Sequence, residues 1–128
     1  MASELFNDIT AAALSKTLDA ATARQKAIAN NVANVETPGY KRTQVSFEDE
    51  LKRIINLKTG SELRKGLQEL TPVTHTDIQS PARPDGNNVN IDAEMSDLAR
   101  TSLKYRAAIV LLEGKTGMLK AAISEGKR

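Results

Sequence analysis

The feature that most constrains this chain is an unbroken alternation of three- and four-residue steps near its C-terminus. Met95, Leu98, Ser102, Tyr105, Ile109, Leu112, Thr116, Leu119 and Ile123 follow it without a gap, and only Ser102 and Thr116 are polar. A spacing that averages about 3.5 residues keeps one apolar seam along a helix, so Asp92 to Ser124 reads as a long helix that needs a partner. Asp92 can cap its start with Glu94 in the first turn, and Gly126, Lys127 and Arg128 suit its end. Gly114 and Gly117 interrupt it at about 1 kcal/mol each relative to Ala, and mark either close backbone packing or a soft point.

The other end of the chain carries a matching pattern. Leu14, Leu18, Ala21, Gln25, Ile28, Val32 and Val35 recur at the same steps among many alanines, which favour helix and let a neighbour approach closely. Residues 4–34 therefore read as one helix, with Ser3 as N-cap and Asp8 near the positive end of the dipole. Pro38 ends it, because the residue before proline is pushed out of the helical region. Both helices come to roughly 45–50 Å, and the matched lengths predict that they pair.

The expected fold is all-α: residues 1–36 and 91–128 form long terminal helices pairing as a coiled coil, around a partly irregular middle segment, 37–90. That middle has no sustained period. Ser46–Leu57 suits a short helix with an acidic start, and Gly60 and Gly66 then break the pattern. Pro72, Pro81, Pro84 and Asp85-Gly86-Asn87-Asn88 read as turns and linker, so the segment is expected to be ordered in part, or only against partners.

Composition closes off several functions. The 128 residues include no Cys, which excludes disulfides, thiol catalysis and Cys-based metal sites. Aromatics are 3% of the chain (Phe6, Tyr40, Phe47 and Tyr105), so a single dense globule is poorly supplied with rings. Eighteen basic residues against sixteen acidic give +2, and no part of the chain is a basic block, which speaks against nucleic acid or an anionic membrane as partner. The longest apolar run, Ala107 to Leu112, falls far short of the roughly 20 residues that span a bilayer, so no integral membrane segment is expected. The acidic N-terminal region, with Glu4 and Asp8, has no apolar stretch of the kind a cleavable signal peptide needs.

No catalytic, cofactor-binding or metal-ligating residue emerges. His75 is the sole imidazole and reads as a surface loop residue. Gly114-Lys115-Thr116 resembles the end of a phosphate-binding loop, but Ile109 stands where that loop needs Gly. The stretch also lies in a helix whose amides are already bonded. Glu48 and Glu50 sit in a charged, solvated run.

The distinctive stretch is Ala29 to Arg42, ANNVANVETPGYKR. Physically it is a helix end with Asn30, Asn31 and Asn34 near its last carbonyls, followed by Thr37-Pro38-Gly39-Tyr40. Pro then Gly at the two central positions suits a type II turn. As a string it resembles the signature of flagellar rod, hook and hook-associated axial proteins. The second string, Asp85-Gly86-Asn87-Asn88-Val89-Asn90-Ile91-Asp92 followed by Glu94-Met95, resembles the C-terminal junction of the proximal rod family, the FlgB type. The run of Phe47, Glu48 and Leu51 and the ending Ala122-Ile123-Ser124 agree with it.

The resemblance implies a structural subunit of the bacterial flagellar basal-body proximal rod, not an enzyme, and no cofactor. The terminal helices would form the inner axial domain around an export channel, with the middle segment making outer contacts. Implied partners are other proximal rod subunits, the rod–membrane-ring junction protein, the membrane ring, the flagellar type III export apparatus and a rod-cap muramidase. Export would proceed without a cleaved signal. Self and partner contacts are expected along the seams, at Leu14, Leu18, Ala21, Ile28, Val32, Met95, Leu98, Tyr105, Ile109, Leu112, Leu119 and Ile123. Asn31, Asn34, Pro38, Gly39 and Tyr40 are expected to fix the joint between helix and outer segment. Composition and periodicity alone fit equally a soluble two-helix adaptor or chaperone-like binding protein; only the two strings separate the readings.

Overall fold

Two long helices, α1 (Ala2–Ala33) and α4 (Ile91–Glu125), lie side by side in a computed structural model of the chain. It describes residues 2–126, with side chains from Ile9 onward. At about 1.5 Å per residue the helices are about 48 and 52 Å long. They run antiparallel: Asn31 near the end of α1 bonds Glu94 near the start of α4, while Arg24 and Lys104 meet on Glu48. The expected pairing of the terminal helices is therefore present.

Their ends differ in detail from the sequence reading. α1 already includes Ala2, so Ser3 stands inside it; the side chains of Ser3 and Asp8, and Lys127 and Arg128, lie outside the described set. α4 starts before Asp92, because Asn90 takes the cap: its backbone is extended and its side chain accepts from the Ala93 amide at 3.2 Å. Asp92 then falls in the first turn, where its charge faces the positive end of the dipole.

Burial on both helices repeats every seven residues, at Ala21 and Ile28 on α1 and at Glu94, Thr101 and Ala108 on α4. The α4 positions stand one residue before the predicted Met95, Ser102 and Ile109. α4 is thus turned by part of a turn, so that Glu94 faces inward and Met95 is 43% exposed. Gly114 and Gly117 have open space where a side chain would be, so neither serves close packing within this chain.

The middle segment holds β1 (Thr43–Ser46), α2 (Glu48–Leu57), α3 (Gly60–Glu69) and β2 (Val73–Thr76). α2 falls where the acidic-headed run predicts it. β1 and β2 form an antiparallel ribbon, Thr43 opposite Thr76 and Ser46 opposite Val73, which places His75 in a strand and not in a loop. Strands of four residues are too short to print an alternation on the sequence. α3 is the larger surprise. Gly66 is buried inside it, and a Cβ there would meet Ile54 Cγ2 at 3.0 Å, so the glycine brings α3 onto α2 and does not break the helix.

α2 and α3 close a small apolar core against α1. Phe47, Ile54, Leu67 and Leu70 bury themselves on Ala20, with Ile9, Ala12, Ala13, Leu51 and Leu63 around them. α1 thus has two working faces, one toward α4 and one toward this hairpin. Its alanines make both approaches close.

Candidate functional site

The chain that leaves the end of α1 is held from a distant part of the sequence. The Asn87 amide is fully buried and donates to the carbonyls of Asn34 (2.9 Å), Val35 (3.1 Å) and Thr37 (2.9 Å). The Arg83 guanidinium donates to Val35 as well. Asn87 Oδ1 in turn accepts from the Val89 amide at 2.8 Å.

The chain then reverses through Thr37-Pro38-Gly39-Tyr40. Gly39 has φ +74°, and the Tyr40 amide donates to Thr37 O at 3.2 Å, the bond that closes a β-turn. This turn docks on the second one. The Gly39 amide donates to Asp85 O at 2.8 Å, and a Cβ on Gly86 (φ +86°) would stand 3.3 Å from Gly39 Cα. Glycine is needed at both positions, for the left-handed backbone and for the close approach. The two distinctive strings of the sequence, 50 residues apart, therefore meet face to face.

Below the turns lies a buried polar knot. Asn31 is fully enclosed, and its primary amide acts as a strand would toward β1: Oδ1 accepts from the Thr43 amide (2.8 Å) and Nδ2 donates to Thr43 O (2.9 Å). The same Oδ1 accepts from the Tyr40 hydroxyl, and Nδ2 donates to Glu94 Oε2 at 3.0 Å. Arg42 Nε donates to Glu94 Oε1 at 2.8 Å, and its other nitrogens reach Asp97 (3.5 Å) and Asp77 (3.7 Å). Asn88 ties the strand down further, accepting from the Arg42 amide and donating to Asp77 O, each at 2.7 Å. Asp77's pKa is lowered, above all by hydrogen bonds from Ser80 and least by Arg42. One charged residue on α4 is thus held by α1 and by the chain leaving α1.

A second ionic link stands further along. Both Arg24 nitrogens donate to Glu48, which Lys104 also approaches at 3.6 Å, so α1, α2 and α4 are joined. The Arg24 guanidinium is the main reason that the Glu48 carboxyl is held down at about 2. These charges border a cleft of about 400 Å³ between α1, β1 and α4, where Asp97, Arg100 and Lys104 are already paired with one another or with Glu48. Among the described residues no group of three or more His, Asp or Glu could hold a metal. The arrangement ties α1, α2 and α4 together.

The seam residues fall into three sets. Ala21 and Ile28 are buried; Leu14, Leu18, Val32, Leu98, Tyr105, Ile109 and Leu112 are half-buried; Met95, Leu119 and Ile123 are exposed. Of the joint residues, Asn31 is buried, Asn34 and Tyr40 are half-buried, and Pro38 and Gly39 lie at the surface. Asn34 serves the helix end itself, donating to Asn30 O at 2.8 Å and accepting from the Thr37 hydroxyl. Sequence reasoning missed Arg42, Asn87, Asn88 and Glu94 as structural keys, and Arg24 with Glu48. Asn87 and Asn88 had a signal, since they belong to the second string; Arg24 and Glu48 had none, because surface ion pairs follow no spacing across elements. It also missed a second apolar side of α4. Leu103 and Val110 stand about 200° round the helix from Thr101 and Ala108, and with Leu111 and Met118 they are 61–76% exposed.

Comparison with known proteins bears on the same features. The sequence profile described as "Flagella basal body rod protein" matches residues 13–41, most of α1 and the first turn. The flagellar basal body rod protein FlgB of Bacillus subtilis (strain 168) is 34% identical over 121 residues, covering 89% of this chain and 92% of that protein. This chain belongs to the FlgB family of flagellar basal body rod proteins. The FlgB proteins of Borrelia hermsii (39% identical, covering 69% of this chain and 76% of the relative) and Escherichia coli (strain K12) (33% identical, 72% and 76%) agree. As a FlgB-family member the chain is a structural rod subunit and not an enzyme. Membership also decides against the adaptor reading. Among the described residues no helix of this FlgB-family subunit is long and apolar enough to cross a membrane.

Proposed function

We propose that this rod subunit polymerises with other proximal rod subunits into the drive shaft that links the membrane ring to the distal rod and hook. In this reading α1 and α4 form the inner axial part, and residues 37–90 make the outer contacts. Its further partners are the rod–membrane-ring junction protein, the membrane ring and a rod-cap muramidase. It leaves the cytoplasm through the flagellar type III apparatus without a cleaved signal. The observation that carries the reading is the exposed apolar side of α4, from Leu103 to Met118. Burying such a surface is worth roughly 25 cal/mol per Å², and neighbouring subunits in an assembly can cover what a lone chain leaves in water. Head-to-tail contacts that do not close into a ring generate a filament.

The test is replacement of the resident rod gene in a proximal-rod deletion strain by this chain. Restored swimming and a full-length rod are expected. Export of the chain with no rod formed would refute the proposal.

A further inference from the structure

We infer that Asp85 to Asn90 is a strap that closes over the end of α1 and opens as a single unit, while the apolar core under α2 and α3 stays shut. Its long-range bonds join residues 31–42 to residues 85–94, and Asp77 and Arg83 add nearer ones at Asn88 and Asn87. The long-range bonds span 45 residues at Lys41–Gly86, 46 at Arg42–Asn88, 52 at Arg42–Glu94 and 63 at Asn31–Glu94. Gly86 lies on Gly39 directly beside the bonds of Asn87, and Asn88 holds the Arg42 amide beside the bond of Arg42 to Glu94, so each contact helps to place its neighbour.

The knot is largely polar where the core is apolar, although Val89 of the strap is buried as well. Its most enclosed side chains are Asn31, Asn87 and Glu94, and water can satisfy all three once the strap lifts. The core of Ala20, Phe47, Ile54, Leu67 and Leu70 shares no residue with it and has no such compensation. Regions with few buried apolar contacts open first and open together. The closed strap sets how the chain leaves α1 for β1 and how it enters α4. The open strap releases these two crossings while α2 and α3 stay seated on α1 through the core.

Native-state hydrogen exchange on the full chain, read residue by residue by NMR, tests this. The amides of Gly39, Arg42, Thr43, Asn88 and Val89 should share one opening constant, distinct from that of Ile54 and Leu67. Asn87→Ala takes one donor from each of three carbonyls and removes the acceptor of the Val89 amide. Val89 is therefore left out of this comparison, and the rates of Gly39, Arg42, Thr43 and Asn88 should rise together by about tenfold to a hundredfold. Ile54 and Leu67 should not move. Gly86→Ala, which acts through the backbone, should shift the same four and Val89. Rates that change separately would overturn the inference. So would equal acceleration of Ile54 and Leu67, which would mean that only the whole chain opens.

Discussion

Truncating Glu94 to Ala removes the buried carboxylate by which α4 holds Asn31 of α1 and Arg42 of the chain leaving α1. The variant leaves Arg42, whose side chain is only 15% exposed, with Asp97 at 3.5 Å and Asp77 at 3.7 Å as its remaining counter-charges. It also strips Asn31 Nδ2 of one acceptor in a fully enclosed position. Breaking a buried pair by deleting one partner costs about 3–5 kcal/mol, mostly because the other charge stays buried and unmatched. Against a total stability of about 5–15 kcal/mol for an ordinary domain, that is a large share. In urea unfolding followed by circular dichroism, with a slope of about 2 kcal/mol per molar, the midpoint should fall by about 2 M. Glu94→Gln keeps the shape and an acceptor oxygen and should lose only about 1–3 kcal/mol. Glu94→Leu combined with Arg42→Met should recover much of the loss, since neither charge is then buried. A Glu94→Ala midpoint within experimental error of the parent would refute the reasoning, as would strict additivity with Arg42→Ala.

Three further outcomes are expected. Glu48 is held at about 2 against an ordinary 4.5, so its contribution is complete above pH 5 and is lost as pH falls toward 2. Its partial exposure discounts this to about 1 kcal/mol, and Glu48→Gln should flatten the acid limb of a stability–pH curve accordingly. Leu67→Ala empties a fully buried position between α3 and α1 and should cost about 2–5 kcal/mol in the same urea assay. Gly114→Ala meets no atom within 4 Å and should raise the melting stability of the isolated chain by about 1 kcal/mol; no gain would contradict its open placement.

How far the fold could be read depends on the length of the signal. α1 and α4 extend over many turns, so their period and pairing were legible, and Thr37-Pro38-Gly39-Tyr40 named its own turn through Pro and Gly. β1 and β2 are too short to show a period, and α3 was hidden because Gly66 reads as a breaker until Ile54 is seen against it. At the joint, the two strings marked the right places without showing that they touch. Nothing local to Glu94 distinguishes a first-turn surface charge from a buried key; only Arg42 and Asn31, brought up from 52 and 63 residues away, make it one. The rotation of α4 follows from the same demand, since turning Glu94 inward leaves Met95 at the edge.

The central claim is that the outward apolar side of α4 belongs to neighbouring subunits and not to this chain's own core. Val110→Asp tests it most directly, because Val110 is 65% exposed and a charge there should leave isolated-chain stability within about 0.5 kcal/mol. The measurement is swimming of a strain carrying only this variant, at unchanged level and export of the protein. The account predicts lost swimming and no completed rod. Normal swimming with normal rods would contradict it.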